Sequence, residues 1–152
     1  MIAIENCTIV IPHLGETEEQ EYALDQCLFS LKETIDMNII VVVNGQKCEK
    51  HEGQINLKTQ GQCTAVNTAV ATTNTEWIFV SNDDMIYANN WWERLTAFYI
   101  PRGKNNLSCI SPKLVEPRSG APTFEVKPFG GAGGDFNKIA FENYARERPH
   151  PQ

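Results

Sequence analysis

Residues 75–84 read TEWIFVSNDD, and this stretch decides the fold. Its centre, Trp77–Val80, is a short apolar run of the kind that forms a buried strand. Three polar residues, Asn82, Asp83 and Asp84, stand just past the end of that run. The pattern therefore predicts a strand that carries two adjacent carboxylates at its carboxyl end.

The residues before this stretch alternate between strand and helix patterns. Residues 7–12 and 39–43 are apolar, β-branched runs that predict two strands, and residues 54–57 predict a short third one. After residue 16, TEEQ at 17–20 forms a capping box, and apolar residues then recur at the spacing of one helix face. Residues 64–72 predict a second, alanine-rich helix. Strands separated by helices indicate an α/β, Rossmann-like fold with a mainly parallel sheet flanked by helices.

The residues after 84 continue with a third helix pattern. Residues 92–99 predict a helix capped by Asn89 or Asn90. Since neighbouring helical side chains point about 100° apart, one of Trp91 and Trp92 is expected to face partly outward.

The last third of the chain is rich in glycine and proline. Residues 109–111 predict a further strand, and Asp135 is expected to cap a final helix. The apolar face of that helix is predicted to carry Phe136, Ile139, Ala140 and Tyr144. These patterns divide the chain into an α/β domain at 1–115, a Gly/Pro-rich loop at 116–134, and a C-terminal helix and tail at 135–152.

Polar segments follow three of the predicted strands, at residues 13–16, 44–46 and 82–84. Ligands of parallel sheets bind beyond the carboxyl ends of the strands, so these segments are expected to converge on one crevice. Adjacent carboxylates are hard oxygen ligands, which suit Mg²⁺ or Mn²⁺ bound together with a diphosphate. The alternative is a polar turn, in which Asn and Asp side chains bond to nearby backbone. His13, in the loop predicted after Pro12, is expected to be solvated.

The composition narrows the class of partner. The 152 residues carry a net charge of −6, which disfavours nucleic acid or an anionic membrane but leaves a phosphorylated ligand open. Five cysteines without close pairing predict reduced thiols in a cytoplasmic protein. No apolar stretch reaches the roughly 18 residues of a transmembrane helix, and no signal peptide is expected.

In this order, the segments resemble the family-2 glycosyltransferases, which have the GT-A fold. The resemblance covers residues 7 to about 115 and rests on four pieces besides the first strand. These are the strand ending in Asn44-Gly45, the loop and helix QGQCTAVNTAVA at 60–71, the stretch at 75–84, and Trp91, seven residues after Asp84.

The resemblance implies an inverting, metal-dependent enzyme that moves a sugar from a UDP- or GDP-sugar to a hydroxyl acceptor, a glycan or lipid-linked glycan. It implies that Asp84, with Asn82, binds Mg²⁺ or Mn²⁺. The residues it implies for binding of the nucleotide sugar are Pro12, His13, Leu14, Glu16, Val43, Asn44, Gly45, Asn67, Asn82 and Asp83.

The chain departs from the family pattern at several positions. Leu14 stands where an aromatic often stacks on the base, Val43 where an Asp often reads the base edge, and Asn82 where the first Asp is usual. The family's catalytic base usually lies in a second half of the domain, so the catalytic residue is unassigned and the chain is expected to be truncated.

Two other functions are open. One is a non-catalytic domain that binds nucleotide sugars or a partner. The other is a nucleotidyltransferase, which is disfavoured because residues 13–16 are not a Gly-rich, basic loop. An unfinished sheet would also expose an edge, which predicts self-association.

Overall fold

A computed structural model describes residues 2–44, 51, 54–58, 61–97, 115–116, 125–126, 129 and 136–147. The chain forms two compact units, one of residues 3–87 and one of residues 1–2 with 88–152. The units therefore meet in sequence at residue 87, whereas the sequence pattern divides the chain at 115. The strand predicted at 109–111 lies outside the described residues, as do most of the loop at 116–134 and the predicted cap Asp135.

The unit of residues 3–87 is built on a parallel sheet of four described strands. In chain order the elements are a 3₁₀ turn at Ile4–Asn6, β1 (Cys7–His13), α1 (Glu18–Thr34), β2 (Asn38–Asn44), β3 (Ile55–Leu57), α2 (Gln62–Thr72) and β4 (Trp77–Val80). The strand order is β3-β2-β1-β4, and each adjacent pair is parallel. This confirms the predicted α/β, Rossmann-like class.

The two described helices, α1 and α2, cover opposite faces of the sheet. Val10 of β1 and Val42 of β2 form a buried cluster with Ala65 and Ala69 of α2. Side chains alternate along a strand, so His13 of β1 points to the other face, where its side chain contacts α1. Burial of apolar surface on both faces holds the sheet together.

β1 continues one residue past the proline that was expected to end it. The carbonyl of Val10 accepts a hydrogen bond from Ser81 N–H at 3.0 Å, so the polar backbone groups of Val10 point toward β4. Pro12, two residues on, points its nitrogen to the same side, beyond Val80, the last β4 residue paired with β1. The missing N–H therefore breaks no bond of the sheet, and β1 extends to His13.

α1 begins with the predicted capping box. The Thr17 side chain accepts from Gln20 N–H at 3.2 Å, and Gln20 Oε1 accepts from Thr17 N–H at 3.1 Å. Leu24, Leu28 and Leu31 are buried, as the apolar spacing predicts. The cap and this apolar face together determine where α1 starts and how it lies on the sheet.

We expect Thr17→Ala to lower the free energy of unfolding by about 1 kcal/mol, because the first turn of α1 loses its acceptor. Urea denaturation followed by circular dichroism measures the change. Glu19→Ala is the control, since it alters the same turn and leaves Thr17 and Gln20 in place. An equal loss in both variants would show that the capping box contributes nothing specific.

Hydroxyl groups join the amino ends of β1 and β4. Thr8 is fully buried, and its Oγ1 lies 2.9 Å from both Thr73 Oγ1 and Thr75 Oγ1. Asn38 Nδ2 donates to the same oxygen at 3.2 Å. Thr75 Oγ1 also donates to the Trp77 carbonyl at 3.1 Å, so the cluster fixes the start of β4 beside β1.

The second unit contains α3 (Trp91–Thr96), the parallel strand pair β5 (Val115–Glu116) and β6 (Glu125–Val126), and α4 (Lys138–Glu147). Trp92 is 4% exposed and donates from Nε1 to the Ile2 carbonyl at 3.2 Å. Trp91 is only half-buried, which confirms that one of the tandem pair faces partly outward.

Of the two predicted caps in this unit, the one of α3 is found at Asn90, and a residue other than Asp135 caps α4. Asn90 is the N-cap of α3, but it has left-handed backbone and makes no side-chain cap bond. At α4, Asn137 Oδ1 accepts from Ala140 N–H at 3.0 Å and so caps the helix. Ile139, predicted to lie on the apolar face of α4, is 76% exposed, and α4 has no fully buried residue. No helix in the described parts of the chain is long and apolar enough to cross a membrane.

Candidate functional site

The carboxyl ends of β1 and β4 lie side by side at the point where the strand order reverses. β2 and β3 extend the sheet on one side of β1, and β4 lies on the other. In open α/β sheets this reversal is where ligands bind. His13 ends β1, and Asp83 lies three residues after β4; His13 Nδ1 and Asp83 Oδ2 are 2.7 Å apart. This hydrogen bond spans the reversal point.

His13 lies between two carboxylates. Its Nε2 is 3.2 Å from Glu21 Oε1 of α1, and the side chains of His13 and Glu21 are 0% and 15% exposed. Burial by itself lowers the pKa of His13, but the hydrogen bonds and charges of Asp83 and Glu21 outweigh it, so the pKa is raised. The expectation of a solvated His13 is therefore wrong: the imidazole is buried, and the protonated form donates from both nitrogens.

Gly15 packs against this contact. Its φ is +66°, in the left-handed region that glycine adopts without strain. A Cβ at this position would lie 2.9 Å from Glu21 Oε1 and 3.0 Å from His13 Nε2. Both the backbone conformation and the close approach of the two side chains therefore require glycine.

The segment of residues 82–84 is held through its backbone at both ends. Ser81 N–H donates to β1, as described above, and Cys27 Sγ of α1 donates to the Asn82 carbonyl at 3.6 Å. Further along, Tyr87 N–H donates to Ser30 Oγ at 3.2 Å. Burial raises the pKa of the Cys27 thiol to about 12, so it stays protonated and serves as a donor.

The side chains of the segment are oriented differently from one another. The Asp83 side chain is bonded to His13, whereas the side chains of Asn82 and Asp84 are exposed. The polar-turn alternative requires these side chains to bond to nearby backbone. Within the described residues, none of the three does so. The segment does turn, but its two exposed oxygen-bearing side chains remain available to a ligand.

A divalent cation fits these residues only if other ligands complete its shell. Among the described residues, no group of three or more His, Cys, Asp or Glu side chains has the arrangement of a metal site. Mg²⁺ commonly binds proteins through one or two carboxylates and takes its remaining ligands from water and phosphate. Asp84 and Asn82 suit a cation held in this way.

The end of β2 adds one buried amide. Asn44 is 5% exposed, and its Oδ1 has no hydrogen-bond partner in the part of the chain that the structure describes. It alternates with Val42 and so faces the α2 side of the sheet. Val43 is fully buried, so in this structure neither its side chain nor its backbone is exposed to a ligand. Gly45 lies outside the described residues.

The other predicted site residues are divided between the edge and a distant face. Pro12 and Leu14 are partly buried at the carboxyl edge, and Glu16 N–H donates to Gln20 Oε1 at 2.8 Å. Asn67 is exposed on α2, two residues from both Ala65 and Ala69, which face the sheet. Its side chain therefore points away from the sheet, and the structure does not bring it to the edge.

Glu21 is the site residue that sequence reasoning missed. It lies three residues before Leu24 and seven before Leu28, so it continues the buried stripe of α1 toward the amino end. A carboxylate on an apolar stripe needs a partner, and this position was the available signal.

The amino end of α1 is closed to a phosphate. Many nucleotide-binding α/β proteins seat a phosphate on the free N–H groups of the first helix. Here Thr17 accepts from Gln20 N–H, and the first turn carries Glu18, Glu19 and Glu21. Three carboxylates repel an anion, so this helix end does not repeat that arrangement.

The fold and this edge define an α/β protein with an acidic segment at the carboxyl end of its sheet. Comparisons of the chain with protein-family models, with curated protein sequences and with solved structures return no match. The resemblance to glycosyltransferases therefore stays a prediction from the sequence.

Proposed function

We propose that this chain is the donor-binding domain of a glycosyltransferase. It binds a UDP- or GDP-sugar together with Mg²⁺ or Mn²⁺ at the carboxyl edge and transfers the sugar, with inversion, to a hydroxyl of a glycan or lipid-linked glycan. The observation that carries the proposal is the acidic segment beside β1 at the reversal of strand order, with the Asp84 and Asn82 side chains exposed.

The charges at the carboxyl edge make binding of a diphosphate depend on a cation. Asp83, Asp84 and Glu21 give the edge between β1 and β4 a negative potential, which His13 offsets in part when it is protonated. A bare diphosphate would be repelled there. Asp84 and Asn82 would hold the cation, and the bound cation would neutralise the charge of the leaving diphosphate. His13 has both nitrogens engaged by carboxylates, so it does not donate to the phosphates.

One observation favours the non-catalytic alternative. The catalytic base of an inverting transfer must reach the acceptor hydroxyl. Asp83 and Glu21 are bonded to His13, and Asp84 is assigned to the cation. These three carboxylates thus have other roles, and a domain that binds the donor without turnover fits them. Release of free sugar or its transfer to an acceptor, measured with UDP- and GDP-sugars, separates the two functions.

The cysteines bear on the cellular compartment of the protein. The described cysteines, Cys7, Cys27 and Cys63, are unpaired, which supports a reducing compartment such as the cytoplasm. Self-association remains a prediction, which light scattering on a sizing column would check.

The proposal predicts metal-dependent nucleotide binding. We expect wild-type protein to bind UDP or GDP in the presence of Mn²⁺, and Asp84→Asn to weaken this binding by about 100-fold or more, because the substitution removes the one negatively charged ligand proposed for the cation. Isothermal titration calorimetry with and without Mn²⁺ measures the affinity.

Asp36→Asn is the matched control. Asp36 is exposed and lies before β2, at the opposite edge of the sheet, so the same chemical change there should leave the affinity unaltered. Absence of Mn²⁺-dependent binding in the wild type would refute the proposed function. Equal weakening by both substitutions would show that the cation does not bind at Asp84.

A further inference from the structure

Two adjacent carboxylates of the site have different surroundings. Asp83 Oδ2 is 2.7 Å from a ring nitrogen of His13, and the Asp83 side chain is 28% exposed. Asp84 follows it directly, and its side chain is exposed. The His13 ring, which bonds Asp83, also contacts Glu21 through Nε2, and Gly15 packs closely against it.

We propose that His13 is a positioning residue that fixes Asp83 outside the cation site and thereby leaves Asp84 as the carboxylate that binds the cation. Glu21 acts through His13, by holding its second nitrogen. This inference rests on the proposed function, because it assumes that a divalent cation binds at Asp84. It adds that the two aspartates have separate roles, because the buried His13 binds Asp83 and leaves Asp84 to the cation.

The geometry gives His13 this role for two reasons. The imidazole is rigid, and contacts at both nitrogens determine its orientation, so Asp83 meets a fixed donor. The backbone is tied to Val10 through the Ser81 N–H and to Cys27 through the Asn82 carbonyl. Asp83 is fixed at its side chain and Asn82 at its carbonyl. These two contacts determine the direction in which the Asp84 side chain projects from the backbone.

Two substitutions of His13 separate its two contacts. The side-chain amide nitrogen of Asn stands near the position of Nδ1, so His13→Asn keeps a donor for Asp83. The longer Gln places its amide nitrogen near Nε2, so His13→Gln keeps a donor for Glu21 only. Both replace the ring by a neutral amide, and each is the control for the other.

The first readout is the affinity for Mn²⁺ alone, from the electron paramagnetic resonance signal of free Mn²⁺. We expect His13→Gln to weaken binding by about tenfold, because Asp83 is released and the Asp84 carboxylate loses its fixed direction. His13→Asn should recover most of the affinity, to within about threefold of wild type. A role confined to stability would make the affinity follow the urea midpoint of each variant, irrespective of which contact survives.

The second readout is the set of amide signals of residues 82–86 in ¹H–¹⁵N spectra of the metal-free protein. These signals should shift in His13→Gln and stay near their wild-type positions in His13→Asn. Equal effects of the two variants, or unmoved signals in His13→Gln, would overturn the inference.

The two readouts keep failure of the inference apart from failure of the proposed function. If wild-type protein binds no Mn²⁺ with or without UDP or GDP, the proposed function fails and so does the cation-binding part of the inference. The spectra of the metal-free variants still decide whether His13 positions the segment.

Discussion

Asp83→Ala is expected to lower the free energy of unfolding by about 3 kcal/mol, although the residue lies in a turn and is partly exposed. The substitution removes a charge-assisted hydrogen bond of 2.7 Å and leaves Nδ1 of the buried His13 without its acceptor. Asp84→Ala removes the neighbouring exposed carboxylate and should change the stability by less than about 0.5 kcal/mol. Urea denaturation of the three proteins measures the difference.

The difference between wild type and Asp83→Ala should depend on pH. Asp83 and Glu21 raise the pKa of folded His13, so the folded state binds this proton more tightly than the unfolded state does. The resulting stabilisation is fully present below the unfolded pKa of about 6.5 and is lost as the pH rises through the folded value. Measurements from about pH 5.5 upward avoid the titration of ordinary carboxylates. A constant difference over this range, or equal losses in the two variants, would contradict a charged His13–Asp83 pair.

Gly15→Ala is the second large effect that we expect, with a loss of about 3 kcal/mol. An alanine at φ +66° is strained, and its Cβ would stand 2.9 Å from Glu21 Oε1. The side chain of Glu21 has to move, so Nε2 of the buried His13 loses its partner. The free energy of unfolding by urea reports the sum of the two effects.

A double-mutant cycle separates strain from displacement. In a Glu21→Ala background the contact at 2.9 Å no longer exists, so Gly15→Ala should cost less. What remains is the strain of the left-handed backbone, about 1 kcal/mol, and the approach of the Cβ to His13 Nε2 at 3.0 Å. If the cost of Gly15→Ala is the same in both backgrounds, the substitution does not act by displacing Glu21.

Local patterns were enough to predict most of the larger unit. The apolar run at Trp77–Val80 coincides with β4, and the capping box at Thr17 starts α1 where expected. The end of β1 was predicted one residue early, because the effect of Pro12 depends on which neighbouring strand its nitrogen faces. That neighbour is β4, far along the chain, and no local pattern specifies it.

The candidate site was predictable in its parts and not in its connections. The sequence indicates that polar residues follow the strands, and the acidic segment does lie at the carboxyl end of β4, as this pattern predicts. The bond between His13 and Asp83 depends on β1 and β4 being neighbours, and the contact with Glu21 depends on how α1 lies on the sheet. Both are tertiary relations between segments that are distant in sequence. For the same reason a histidine expected in solvent proved to be among the most deeply buried polar residues described.

α1 holds the acidic segment from both sides, since Cys27 bonds the Asn82 carbonyl and Ser30 bonds the Tyr87 amide. The backbone between these two points is ordered when the protein folds, so its conformational entropy is already lost before any ligand arrives. A ligand at this edge therefore meets a preorganised surface rather than a loop that must close over it. Its association should be a single kinetic phase whose observed rate rises in proportion to ligand concentration, as it does for rigid sites.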